Sequence, residues 1–220
     1  MMDWLLLQLA DSGFPTGGFA HSGGLEAAWQ HGAVRDVAAM EDFVDAALWQ
    51  TGHVVLPLAN AAFDCERTLA ELDAHCDAFL SNHVANRASR IQGRSLASTF
   101  ESCFPTSGVR ALGNRLRDEK LRRHYAPLLG ALLRELGLER VAMQRLCLFV
   151  ALRGLVSAGV RLGIVGPHQG QQLLLRRHAT LDRVLERCAH LSTADLAQPA
   201  PLVELFQSTH DRLYSRLFQS

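Results

Sequence analysis

LCLFVALRGLVSAGVRLGIV, Leu146 to Val165, is the most apolar stretch of the chain, and its reading decides between two architectures. Its length matches a membrane span. Arg153 and Arg161 interrupt it, however, and an arginine at a bilayer centre costs about 2.5–3.5 kcal/mol. A buried central helix of a soluble protein accommodates the pattern better. An unpaired charge is costly in a protein core too, so each arginine is expected to meet an acidic partner or to back a functional surface.

The same helical spacing recurs on both sides of this segment. Val37, Met40, Val44 and Leu48 follow a candidate Asp36 cap. Leu128, Leu129, Leu132, Leu133 and Leu136 form a second set, and Leu181, Val184, Leu185 and Cys188 a third. No alternating β-branched run argues for a strand. The fold class is therefore all-α, a single compact helical bundle of roughly eight to ten helices spanning residues 1–220. Breaks are expected at Gly13–Gly24, near Pro57, around Pro105–Gly108, at Gly137, at Gly166-Pro167 and at Pro199–Pro201 before a last helix.

Composition places the chain among globular proteins, with 48% hydrophobic and 20% charged residues over 220 positions. Net charge is zero, yet the charges are segregated: residues 1–83 carry 12 acids and 2 bases, whereas residues 84–177 carry 5 acids and 16 bases. Lys120 is the only lysine, so the basic block is arginine, suited to bidentate recognition of carboxylate or phosphate. Pairing with the acidic half or with an acidic protein is favoured over nucleic acid, because no helix-turn-helix, RNP or zinc-finger signature accompanies the charge. Arg87, Arg90 and Arg94 fall at i, i+3 and i+7, one stripe of a helix, beside a mostly apolar stripe of Val84, Ala88, Ile91 and Ser95. That stripe is read equally well as a solvated edge or as a docking site.

Five cysteines without a CxxC pair indicate neither a disulfide framework nor a structural zinc site, and a reducing, cytoplasmic setting fits. Cys65, His75, Cys76 and His83 cluster loosely; Cys76 and His83, seven apart, would share a helix face, too few ligands for a tetrahedral cage. The N-terminal MMDWLLLQLADSG carries an acid at Asp3 and too short an apolar run for a leader.

The glycine-rich DSGFPTGGFAHSGGLE, Asp11 to Glu26, resists two enzymatic readings. Gly18 and Gly23 have P-loop spacing, but Gly24 and Leu25 stand where Lys and Ser/Thr are needed, so neither GTP nor ATP binding is expected. Ala20-His21-Ser22-Gly23-Gly24 approximates a nucleophile elbow, which would make the chain a helical serine hydrolase using Ser22, but no strand precedes it. The simpler reading is a turn in which Ser22 caps a helix beginning near Leu25.

Four segments in order carry a resemblance. LLQLADSGFPTGGFAHSGGLEAA, NRASRIQGRSL (Asn86 to Leu96), SAGVRLGIVGPHQGQ (Ser157 to Gln171) and HDRLYSRLFQS (His210 to Ser220) together are similar to the UreF family of urease accessory proteins. The resemblance implies a non-catalytic helical protein without cofactor or resident metal, forming a homodimer. It also implies binding to UreD (UreH) and, through that complex, recruitment of the nickel-carrying GTPase UreG to apo-urease. On this basis the expected partner-binding residues are Arg87, Arg90, Arg94, Arg153, Arg161, His210, Tyr214 and Arg216. Arg161 is expected to serve assembly more than the fold, with Gly159 and Gly163 letting another backbone approach. The His210–Ser220 segment is expected to be a terminal helix whose deletion spares the core and loses assembly.

Overall fold

The computed structural model describes residues 2–220; Met1, the first residue of the expected domain, lies outside the described residues. Every regular element among the described residues is helical, so the all-α expectation holds. The organising element is α3, Val37–Phe63, which begins where Asp36 accepts a hydrogen bond from the Ala39 N–H at 2.9 Å. Met40, Val44, Leu48 and Leu56 on its inward side are all wholly buried. Burying each such side chain contributes about 1.5–3 kcal/mol.

Pro57 does not break this helix. A proline at position 57 cannot donate to the carbonyl four residues earlier, that of His53. The Ala197 N–H turns toward that carbonyl at 3.4 Å, so a loop far along the chain replaces the missing donor. Tertiary packing thus carries the helix through a residue that reads as a stop signal in sequence.

Two further helices complete the frame. The helix α8, Arg140–Arg161, lies against α3, and α7, Tyr125–Glu135, crosses α3 closely. At that crossing a side chain on Gly130 would run into the Ala59 carbonyl, so the absence of a Cβ sets the approach. By length and composition α8 is the one described helix able to cross a membrane, yet half of its apolar stretch is buried inside the protein, as expected of a core helix.

Local signals fix the remaining elements. Thr68 and Glu71 form a reciprocal capping box at the start of α4, Leu69–Phe79. Asn82 caps α5, His83–Cys103, and Thr106 caps α6, Ser107–Asp118. Proline occupies the first turn of both α9, Pro167–Arg176, and α11, Pro201–Thr209. Between them α10, His178–Cys188, ends at the Ala189 carbonyl, which accepts from Asn60, Arg140 and Gln144. The break at residues 80–82 places Cys76 on α4 and His83 on α5, so the expected shared helix face does not exist.

The segregated charge is partly neutralised across the fold. Arg140 pairs with Asp64 at 2.8 Å, Arg176 and Arg177 with Glu41, and Arg122 with Asp77, each joining the basic block to the acidic one. These are mostly half-exposed pairs, worth little individually.

Candidate functional site

The first and last sequence signatures meet in space. After α1, Met2–Ala10, the glycine-rich segment runs past α5, where Ser95 and Thr99 donate to the Pro15 carbonyl at 3.0 and 2.7 Å. It then turns into α2, Leu25–Gln30, through Gly24, whose φ of 92° is the left-handed region. A Cβ there would also press on the Val203 carbonyl and the Gln207 N–H of α11.

Glu26 is the hub of this region. Its carboxylate is 1% exposed and accepts from the Leu217 N–H at 2.6 Å, the Phe218 N–H at 3.2 Å and His210 Nε2 at 2.9 Å. A buried carboxylate is tolerated only when its lone pairs are met in this way. Beside it, Ser220 accepts at its carbonyl from the Ser22 N–H at 2.6 Å, and its Oγ lies 2.6 Å from His21 Nδ1. The chain end is thereby clasped, with Phe218 only 5% exposed.

This arrangement corrects the expectation of a terminal helix. After a single 3-10 turn at His210–Arg212 the chain is irregular, because Glu26 takes the N–H groups of Leu217 and Phe218 that a helix would use internally. Deleting residues 210–220 would therefore remove Phe218 and the partners of Glu26 from the core, not spare it.

Arg161 and Arg153 do not take the first of the two settings expected of them, an acidic partner. Neither meets a carboxylate at ion-pair distance among the described residues. The Arg161 guanidinium lies between the rings of Phe19 and Phe218, 4.0 and 4.1 Å from their centroids, and donates to the Phe19 carbonyl at 2.6 Å. It is held by two faces of negative π density instead of an acid. Gly159 makes room for Met40 in this chain's own packing, whereas Gly163 follows the end of α8 with a φ of 73° and open space where a Cβ would stand. Arg153 donates to the Ala10 carbonyl.

The other expected residues divide clearly. Arg87 forms a two-pronged pair with Asp211 at 2.9 and 2.7 Å, reinforced by Arg216 at 3.3 Å. His210 is wholly buried against Glu26 and presents no side chain outward. Arg94 is exposed, Arg90 half-buried with its Nε lacking a partner among the described residues, and Tyr214 fully exposed. Leu217 and Phe19 add apolar surface. Glu26, His21 and Asp211 were not singled out from sequence; only their presence in the matched signatures marked them.

Ser22 does not have the setting of a nucleophile. It is 1% exposed, its Oγ donates to the Ser220 carbonyl at 3.2 Å, and a 3-10 turn at Gly18–Ala20 leads into it instead of a strand. The same Oγ accepts the Glu26 N–H at 3.4 Å, although Gly24 occupies the capping position itself. The thiols of Cys76 and Cys147 are pushed up to about 12, chiefly by burial. No group of three or more metal-ligating side chains occurs among the described residues.

Two buried imidazoles make the fold acid-sensitive. His21 is driven down to about 4 by burial first, then by His210 and Arg87. His124 falls to about 4, also mainly by burial; Asp73 opposes the shift while Arg90 and Arg122 reinforce it. The neutral ring of His124 suits its partners, with Nε2 assigned as donor to Asp77 and Nδ1 as acceptor from Ser89. Between pH 6.5 and 4 the unfolded chain binds more protons at both histidines, so stability falls as pH falls through that window. Melting temperature measured from pH 7.5 to 4.5 is expected to drop, and His124→Asn should flatten the slope.

A helical protein whose signature residues are spent on clasping its own ends, while aromatic and arginine side chains face outward around the clasp, has the character of an interaction protein. The comparisons agree in kind: the family model described as UreF matches residues 34–178. Urease accessory protein F of Arabidopsis thaliana is 36% identical over 226 residues, covering 100% of this chain and 93% of the relative. The protein of the same name from Oryza sativa subsp. japonica is 34% identical over 224 residues, covering 98% and 84%. Urease accessory protein UreF of Kocuria rhizophila is 30% identical over 224 residues, covering 98% and 95%. The chain belongs to the UreF family, and its role lies in urease maturation.

Proposed function

We propose that this chain is a non-catalytic assembly protein of urease maturation. As a cytoplasmic homodimer it binds UreD (UreH) and through that complex brings the GTPase UreG to apo-urease, coupling GTP hydrolysis to delivery of nickel as cargo. The observation that carries this reading is the division of labour at the clasp. Glu26, His210, His21 and Ser22 are buried and bound to one another or to the tail, whereas Tyr214, Leu217, Arg216 and Arg94 face solvent. Exposed aromatic and arginine side chains on a backbone fixed from beneath are what a protein interface needs. Arg153 and Arg161 then act as positioning residues, Arg161 by holding Phe19 and Phe218 in place.

Pull-down of purified UreD and UreG tests the surface. Tyr214→Ala combined with Arg94→Glu is expected to weaken capture at least tenfold with an unchanged melting temperature. Arg161→Glu is expected to weaken capture with a modest loss of stability, since each exposed cation–π contact is worth about 0.5–1 kcal/mol. Undiminished capture by the double variant would remove this surface from the account.

A further inference from the structure

A large cavity opens beside the clasp. Helix α5 packs on α7 instead of on α3 or α8, and the space left between them has a volume of about 860 Å³. Natural cores leave few voids larger than a water molecule, and ligand pockets run from about 300 to 1,000 Å³. The walls are mainly small and apolar: Val54 and Leu58 from α3, Ala85 and Ala88 from α5, Val150 and Ala151 from α8.

Most polar groups on the walls are already engaged. Gln50 donates to Glu204 at 2.8 Å, and Asn82 donates to the other Glu204 oxygen at 3.1 Å. Ser95 is bound to Pro15, His21 to Ser220, and Ser89 to Tyr125 and His124. Two groups stand out: His21 Nε2 has no partner among the described residues, and Arg153 keeps donors free. Half-buried on the cavity wall, Arg153 has a single hydrogen bond, to the Ala10 carbonyl, and no carboxylate within ion-pair distance among the described residues. Its guanidinium is held below the ordinary arginine value, by burial first, with Asp11 and Tyr125 opposing. A desolvated guanidinium with spare donors favours a planar, bidentate anion.

We propose that this cavity binds a long-chain monocarboxylate, its carboxylate held by Arg153 beside Tyr125 and its hydrocarbon chain lying along the apolar walls of α3, α5 and α8. The lined face of α3 runs from Ala47 to Leu58. At 1.5 Å per residue that is about 16 Å, room for a chain of about twelve carbons. The site is separate from the outward surface of Tyr214 and Arg94 and does not depend on it.

Isothermal titration of the full chain with dodecanoate and, separately, dodecan-1-ol tests the proposal. The wild type is expected to bind one dodecanoate saturably. Arg153→Met should weaken dodecanoate at least tenfold while leaving dodecan-1-ol within about twofold. Ala151→Trp, which sets an indole across the cavity, should weaken binding of both at least tenfold with an unchanged helical spectrum, and Val150→Trp serves the same purpose if that variant does not fold. Absence of saturable dodecanoate binding, equal loss of acid and alcohol in Arg153→Met, or binding undiminished in the obstructed cavity would each overturn it.

Discussion

Glu26→Ala is expected to unfasten the chain end and destabilise the protein by about 3–5 kcal/mol, the range for removing one partner of a buried pair. The substitution strips the His210 ring of its one partner among the described residues and leaves the Leu217 and Phe218 N–H groups without an acceptor. Ser22 and His21 then hold Ser220 alone. Two readouts separate loss of the clasp from general damage. Urea unfolding reports the stability, and limited trypsin digestion reports cutting after Arg212 and Arg216, which should accelerate well before the bundle unfolds. Glu26→Gln keeps the shape but turns an amide N–H or a weaker acceptor toward donors, so an intermediate loss is expected. A melting temperature within a degree of wild type for Glu26→Ala would show that the clasp contributes little.

The second large effect is expected at Gly130→Ala. The added methyl would meet the Ala59 carbonyl, a backbone atom toward the C-terminal end of α3 that has no rotamer by which to yield. Relief requires α7 and α3 to separate along the most extensive helix contact of the fold, so the loss should reach or exceed the roughly 1–3 kcal/mol usual for overpacking. Gly154→Ala is the matched control. It lies inside α8 with no atom within 4 Å of the added methyl, and helix propensity alone predicts a gain of up to about 1 kcal/mol. Opposite signs for two glycine-to-alanine changes in helices would establish that close approach, not glycine content, governs the packing. Equal effects would contradict it.

What the sequence made legible follows from the range of the interactions involved. Helical class, the Asp36 cap, the breaks at Gly166-Pro167 and Pro199–Pro201 and the burial of the long apolar helix all depend on neighbours within a turn or two, and the structure agrees with each. Pro57 misled because the donor that rescues the His53 carbonyl is Ala197, beyond the reach of any local rule. The shared face of Cys76 and His83 failed for a different reason, since Asn82 starts a new helix between them.

The site divides along the same line. Tyr214 and Arg94 are exposed, as partner residues must be, whereas His210 carries the same motif membership for an internal reason. A terminal helix was expected over His210–Ser220, but Glu26 draws the last residues of the chain into an irregular path. An arginine in an apolar helix reads as a charge in need of an acid. Arg161 satisfies itself on Phe19 and Phe218, 142 residues away and 57 residues on in the chain, by a geometry with no sequence periodicity.

The nickel content of urease tests the central claim most directly. Apo-urease, UreD and UreG are produced together in cells with and without this chain, and the purified urease is assayed for bound nickel by atomic absorption. The account predicts nickel near background without the chain, near-complete loading with the wild type, and a return toward background with Tyr214→Ala combined with Arg94→Glu at equal soluble protein. Full loading in the chain's absence would contradict it.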